Sequence, residues 1–235
     1  LLIHGPEGVG KQSMALWIAA SLQCDTEGGP CSTCRSCRLA IRLEHPDIHL
    51  HFPMPRPKRA SSSAKLREAL ETQRQERLAT LRQDPEAVLD EGEATGIYVA
   101  AIHTIREQAS RRPAMTKRAI FIVSDADRMV PQAASQEAAN AFLKLLEEPP
   151  SFAYIILATN QAESLLPTIR SRTVSLRIPP VSEDAVTRYL TDELKVPAVD
   201  ARYVARRSEG AVGRARHLWE SDTPDSEGSG ERLLA

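Results

Sequence analysis

The stretch LLIHGPEGVGKQSMALWIAASLQ, residues 1–23, limits what this chain can fold into more than any other segment. An apolar run leads into a glycine-rich turn and then into apolar residues at helical spacing, the order of a buried strand, a tight loop and a helix. Gly5, Gly10 and Lys11 satisfy the spacing G-x-x-x-x-G-K, and Gly8 adds another small residue between them. In such a loop the missing side chains let backbone N–H groups approach phosphate oxygens, and the lysine offsets their charge. The next position breaks the pattern. A hydrolysing loop places Ser or Thr there to hold Mg²⁺, and this chain has Gln12. Ser13 is no simple substitute, because one residue further along a helix the side chain is turned by about 100°. The segment reads as a cradle for ATP or ADP, held weakly, with poor equipment for hydrolysis.

The second half of such a site belongs at the end of a central strand. The apolar run at 119–123 in KRAIFIVSDADRM predicts a buried parallel strand. A hydrolytic site wants two consecutive acids just beyond it, one for the metal shell and one to polarise water. This chain offers Ser124-Asp125-Ala126, so either register leaves one role vacant; Asp127 reads as a helix cap. QEAANAFLKLLEE predicts a helix with Ala139, Phe142, Leu145 and Leu146 inward, stopped by Pro149-Pro150. A further buried strand, AYIILATN, delivers Thr159 and Asn160 to the same sheet edge as the glycine loop. A polar group there can sense a terminal phosphate or simply cap the strand. Arg170 and Arg172 follow beside another strand, where an arginine either supports phosphoryl transfer or is solvated.

All four cysteines fall in one segment, at 24, 31, 34 and 37, with Gly28, Gly29 and Pro30 in the first gap to let the chain fold back. Four thiolates suit tetrahedral Zn²⁺, and a metal with four sulfur ligands is structural, with no open position for catalysis. Two disulfides or four idle thiols are the alternatives; C-x2-C disulfides would be strained, and no export signal is visible. His45, His49 and His51 are then expected at the surface or as caps.

Net charge is −1 over 235 residues and no long basic run appears, so composition gives no licence for a nucleic-acid binder. Apolar runs such as AIFIV are strand length, far short of the ~20 residues that span a bilayer, and the expected location is cytoplasmic. Residue 1 is Leu, so the natural N-terminus is expected to be missing. Low aromatic content suits a helix-rich α/β protein. Residues 53–96 change character and read as an insertion: a proline- and serine-rich flexible start, a solvated helix, and an acidic, turn-rich end. IYVAAIHTIREQASRR at 97–112 is an amphipathic helix with Val99, Ile102 and Ile105 on one face. Helices are predicted near 183–194, 198–208 and 211–220, the first capped by Ser182. An acidic, Ser- and Gly-rich tail is expected to lack order by itself.

On these residues the chain resembles the bacterial clamp-loader subunits of the AAA+ superfamily, parts of the DNA polymerase III holoenzyme. GPEGVGKQS, the cysteine module, HPD, IFIVSDADRM, ANAFLKLLEEPP, LATN and PTIRSRT occur in that family's order over nearly the whole chain. ANAFLKLLEEPP and Ser171-Arg172-Thr173 are the specific ones. The resemblance implies an AAA+ α/β domain over 1–178 with a parallel sheet, a zinc module at 24–37 and the insertion at 53–96. A three-helix lid over 179–220 and the tail at 221–235 would follow, and a C-terminal collar domain would lie beyond this length. It makes Cys24, Cys31, Cys34 and Cys37 zinc ligands and Arg172 a finger acting in trans on a neighbour's ATP. Gly5, Gly8, Gly10, Lys11, Gln12, Ser13, Asp125 and Asn160 would line the nucleotide pocket, Asn160 near the first sensor position. Gly213 stands where active motors carry a second-sensor arginine, with Arg214 one place off. Three weakened parts of one hydrolytic site imply a stator among subunits of the tau/gamma and delta types, meeting the sliding clamp and DNA through the assembled complex. The alternative is a motor of the tau/gamma type.

Overall fold

A computed structural model describes residues 1–26, 28–57, 62–83, 95–129 and 136–222. The start of the insertion at 58–61, its acidic end at 84–94, the tail beyond 222 and the side chain of Ala139 lie outside the described residues. The chain divides into two compact units, Leu1–Ile3 with Gln12–Leu176, and His4–Lys11 with Arg177–Ala235.

The first unit is built on a five-stranded sheet whose strands are β1 (Leu2–His4), β2 (Ile48–His51), β5 (Ala119–Val123), β6 (Ala153–Thr159) and β7 (Ser175–Arg177), in the order β2-β5-β6-β1-β7. β5 runs parallel to both neighbours, with Ile48 opposite Ile120 and Phe121 opposite Ile155. All five residues of β5 are buried, as the uninterrupted apolar run predicts for a strand covered on both faces. Phe121, Val123 and Leu157 pack with Ile102 and Ile105 of helix α4 (Val99–Ala109) and Phe142 and Leu145 of α5 (Gln136–Glu147). Helix α1 (Lys11–Gln23) follows the glycine loop; Met14, Leu16, Ile18 and Leu22 are half-buried, while Ala15, Ala19 and Ala20 form its buried seam.

β2 is a strand that the sequence pattern does not announce, because two of its four residues are histidines. Its position corrects the surface assignment of the histidines. His45 and His51 are each only 4 % exposed, and His49 stacks on Phe121 with ring centroids 4.8 Å apart. His45 Nδ1 accepts the Asp47 N–H at 3.1 Å, a capping role within the turn. Asp47 is also buried, and its carboxylate accepts the N–H groups of Ala114 (2.6 Å), Met115 (2.9 Å) and Thr116 (2.8 Å) and the Thr116 hydroxyl (3.0 Å). The HPD turn thus pins the loop that feeds β5. Burial pushes this carboxyl up, and the four donors together outweigh burial and hold it below the ordinary carboxylate value.

The insertion closes on itself. Its ends pair antiparallel as β3 (Met54–Pro55) and β4 (Thr95–Gly96), with Met54 opposite Gly96. Helix α3 (Ser63–Gln83) between them departs from the solvated helix expected: Leu70, Leu78 and Leu81 are buried, and Arg74 is buried with them. Positions 70, 74, 78 and 81, four, four and three apart, form one buried stripe on a helix that packs against α4, and the high charge of the helix conceals it. Arg74 is satisfied by Glu71, at 2.8 Å through Nε, and by the Leu50 carbonyl of β2 at 3.1 Å.

In the second unit, α7 (Glu183–Asp192), α8 (Ala198–Arg207) and α9 (Val212–Asp222) enclose Val186, Leu190, Val204, Ala205 and Ala215. Ser182 caps α7, accepting the Ala185 N–H at 3.2 Å. Gly210 turns the chain into α9 at φ +79°, where a Cβ would lie 2.2 Å from the Val181 carbonyl oxygen.

Candidate nucleotide and metal sites

The glycine loop residues Gly5, Gly8, Gly10 and Lys11 pack within the second unit. Gly8 sits at φ +76° and its carbonyl accepts the Gly213 N–H at 2.8 Å. A Cβ on Gly8 would lie 2.9 Å from the Arg214 backbone nitrogen, and one on Gly213 would lie 3.2 Å from the Gly8 carbonyl oxygen. The first turn of α9 therefore rests directly on loop backbone, and a side chain at 213 would press on it. Arg214 is paired with Glu209 at 3.2 Å. Lys11 is buried, and its ammonium donates to the Pro6 carbonyl at 2.6 Å, within its own loop.

Gln12, Ser13, Asp125, Asn160 and Arg172 belong to the first unit. The Ser124 hydroxyl donates to Gln12 Oε1 at 3.2 Å. In the register that makes Asp125 the second acid, these are the positions where a hydrolysing loop would offer a magnesium-binding hydroxyl and a carboxylate, and here their side chains bond to each other. Ser124 is buried and its N–H continues the strand ladder to the His51 carbonyl at 2.8 Å. Ser13 is exposed, in keeping with its turn away from Gln12. Asp125 takes the left-handed conformation at φ +47° as the chain leaves β5 and enters the 3₁₀ turn Ala126–Met129. Such a backbone is uncommon for a residue with a side chain. Asp127 is bonded by the Thr159 hydroxyl, tying the ends of β5 and β6, while Asn160 is exposed beyond them. The Thr159–Asp127 link and the Gln12–Ser124 link are not readable from spacing, since each joins residues far apart in the chain.

Arg172 follows the one-turn helix α6 (Pro167–Arg170). It is exposed, with Nη2 bonded to Glu147 at 3.0 Å and Nη1 to the Thr168 carbonyl at 3.0 Å. Arg170 pairs with Glu163. Glu147 carries no signal of its own in the sequence, although it lies inside ANAFLKLLEEPP, one of the two stretches specific to the resemblance.

The four cysteine sulfurs lie within 4.8 Å of one another, and none is in a disulfide. Tetrahedral Zn²⁺ with Zn–S bonds near 2.3 Å puts its sulfurs about 3.8 Å apart, and Cys31 Sγ lies 4.0 Å from Cys37 Sγ. The donor set and its spacing therefore fit a four-sulfur metal centre. Helix α2 (Arg35–Ile41) starts inside the cluster, with Cys34 Sγ accepting the Cys37 N–H at 3.3 Å. The Thr33 hydroxyl and the Cys34 N–H hold the Cys31 thiol down to about 5, favouring the thiolate that a metal needs. Burial pushes Cys37 up to about 12. Gly29 lies against the ring of Trp17, seating the module on α1.

A sheet with a glycine loop at one end and a three-helix unit following it is the AAA+ architecture. A solved point variant of Thermotoga maritima RuvB superposes with a TM-score of 0.50 at 15% identity, covering 93% of this chain and 52% of that one, a likeness of fold alone. Residues 1–182 match the family model described as DNA polymerase III, delta subunit, and the chain belongs to that family. It is 29% identical over 223 residues to DNA polymerase III subunit delta' of Bacillus subtilis, covering 94% of this chain and 54% of that protein. To subunit delta' of Escherichia coli K12 it is 25% identical over 224 residues, with the same coverage, 94% and 54%. To subunit gamma/tau of Mycobacterium tuberculosis H37Rv it is 30% identical over 207 residues, 86% of this chain and 28% of that one. The chain thus spans about half the length of the delta' relatives that it matches.

Proposed function

We propose that this chain is the AAA+ portion of a delta'-type stator: a clamp-loader subunit that does not hydrolyse ATP itself and lends Arg172 to a neighbouring ATPase subunit. The observation that carries this reading is the Gln12–Ser124 hydrogen bond, which spends on each other the two side chains that ought to gather magnesium. Glycine at 213, where a Cβ would press on the Gly8 carbonyl oxygen at 3.2 Å, supports it from the other unit, since the position offers no second-sensor guanidinium. The retained glycines and Lys11 leave ATP or ADP able to bind weakly. Zinc at Cys24, Cys31, Cys34 and Cys37 has a structural role. In the cytoplasm the subunit would stand between tau/gamma-type and delta-type partners, acting on the sliding clamp and DNA through the complex. Arg172 would place positive charge against the γ-phosphate held by its neighbour, an effect of roughly 10³ to 10⁵ in rate for such fingers. The test is Arg172→Ala in the full-length subunit within a reconstituted loader. A large fall in DNA-stimulated ATPase is expected, and an unchanged rate would remove the finger.

A motor of the gamma/tau type is the second reading, favoured by the 30% identity to the Mycobacterium tuberculosis subunit. It requires ATP turnover by the protein alone, lost on Lys11→Ala.

A further inference from the structure

Glu147 closes α5 and is the only acid bonded to Arg172 among the described residues, at 3.0 Å between Oε1 and Nη2. On the opposite side of the guanidinium, Nη1 donates to the Thr168 carbonyl at 3.0 Å, with the Ser171 hydroxyl at 3.4 Å. A side chain with four rotatable torsions is thereby held from two directions in one orientation. The carboxylate does not serve its own helix: negative charge at a helix C-terminus opposes the macrodipole, and the chain turns away at Pro149-Pro150 immediately beyond. The pair is also half-exposed, with side chains 37 % and 46 % accessible, so it adds little to folding stability. A contact that is unfavourable for the helix and nearly neutral for the fold is accounted for by what it does to Arg172.

We infer that Glu147 is the positioning residue of the Arg172 finger, aiming the guanidinium before it meets a neighbour's nucleotide triphosphate. The inference rests on the finger reading of Arg172. Glu147 accepts one N–H of the fork at Nη2 and the Thr168 carbonyl and Ser171 hydroxyl face Nη1, which leaves Nε–H and the second Nη2 N–H for phosphate oxygens, since a guanidinium carries five donors. Holding a long side chain ready removes an ordering cost that would otherwise fall on the transition state. Because the contact is a hydrogen bond through Oε1, glutamine can replace the acid with the acceptor intact.

The experiment uses the full-length subunit in a reconstituted loader, with ATP, sliding clamp and primed DNA, comparing wild type, Arg172→Ala, Glu147→Ala and Glu147→Gln. Gel filtration confirms that each variant enters the complex. The expected result is a large loss of kcat for Arg172→Ala and a three- to tenfold loss for Glu147→Ala, about the range for one freed side chain. KM for ATP should stay unchanged, and Glu147→Gln should restore most of the rate. If Arg172→Ala is impaired while Glu147→Ala matches or exceeds wild type, the positioning role falls and the finger stands. A loss in Glu147→Ala that glutamine does not restore also overturns it, because charge and not aim would then be at work. Wild-type behaviour of Arg172→Ala overturns the finger, and the positioning role with it.

Discussion

Replacing Asp47 by alanine removes the acceptor that fixes the start of the central strand. The carboxylate, 2 % exposed, takes three backbone N–H groups at 2.6–2.9 Å and a hydroxyl at 3.0 Å. Hydrogen bonds to a charged group are worth about 1.5–3 kcal/mol each by mutation. Some of the orphaned donors can reach water, so the sum shrinks; the estimate for Asp47→Ala is about 3–5 kcal/mol, the range seen when a buried network is broken. Asn keeps one acceptor oxygen, and about half that loss is expected. Urea unfolding at pH 7 should show a midpoint lowered by ~1–2 M for alanine at unchanged slope. Amide exchange in Ala119–Val123 should accelerate with it. The pH dependence has a fixed sign. The folded carboxyl sits below its ordinary value, so its contribution is complete above that value and is lost as pH falls through the folded one. Alanine should abolish that acid-side slope. A midpoint within ~0.3 M of wild type, with β5 exchange unaltered, would refute the reasoning.

Gly213→Ala sets two effects against each other. Helix propensity favours alanine by about 1 kcal/mol, whereas its Cβ would press on the Gly8 carbonyl oxygen at 3.2 Å, and overpacking costs about 1–3 kcal/mol. The contact should win, with Tm of the helical unit falling by ~2–4 °C; a rise would show that the loop yields. His49 is held down to about 4, first by burial and then by the Arg74 charge, so its neutral form stabilises the fold at neutral pH. Its contribution is full above the ordinary histidine value near 6.5 and declines from there down to about 4. His49→Phe should make stability less dependent on pH across that window, as read by thermal melts, while His45 and His51, also held down by burial, keep part of the slope. Metal analysis of protein purified without added metal should give one zinc per chain. Chelation should destabilise the cysteine module, and Cys37→Ser should lower zinc occupancy.

Much of the candidate nucleotide and metal sites is legible in the sequence because it is local. The glycine loop, the apolar run of β5 and the cysteine spacing each lie within a few residues, and the chemistry of each follows from residue types alone. β2 escapes a reading by pattern because its histidines mimic a polar turn until Phe121 supplies a ring for His49 to stack on. The packing face of α3 is hidden by charge, since four residues decide its fate and the other positions are mostly polar. The weak points of the loop are visible singly as Gln12, Ser124 and Gly213. What joins them is tertiary: a hydrogen bond across 112 residues in one unit and a backbone contact between Gly8 and Gly213 in the other.

A stator of the kind proposed does not hydrolyse ATP by itself. Steady-state ATP turnover by the purified full-length protein in saturating Mg²⁺, with Lys11→Ala alongside, tests it most directly. Turnover at the background of the buffer, the same for both proteins, is what the account requires. Sustained Mg²⁺-dependent turnover that vanishes in Lys11→Ala would contradict it.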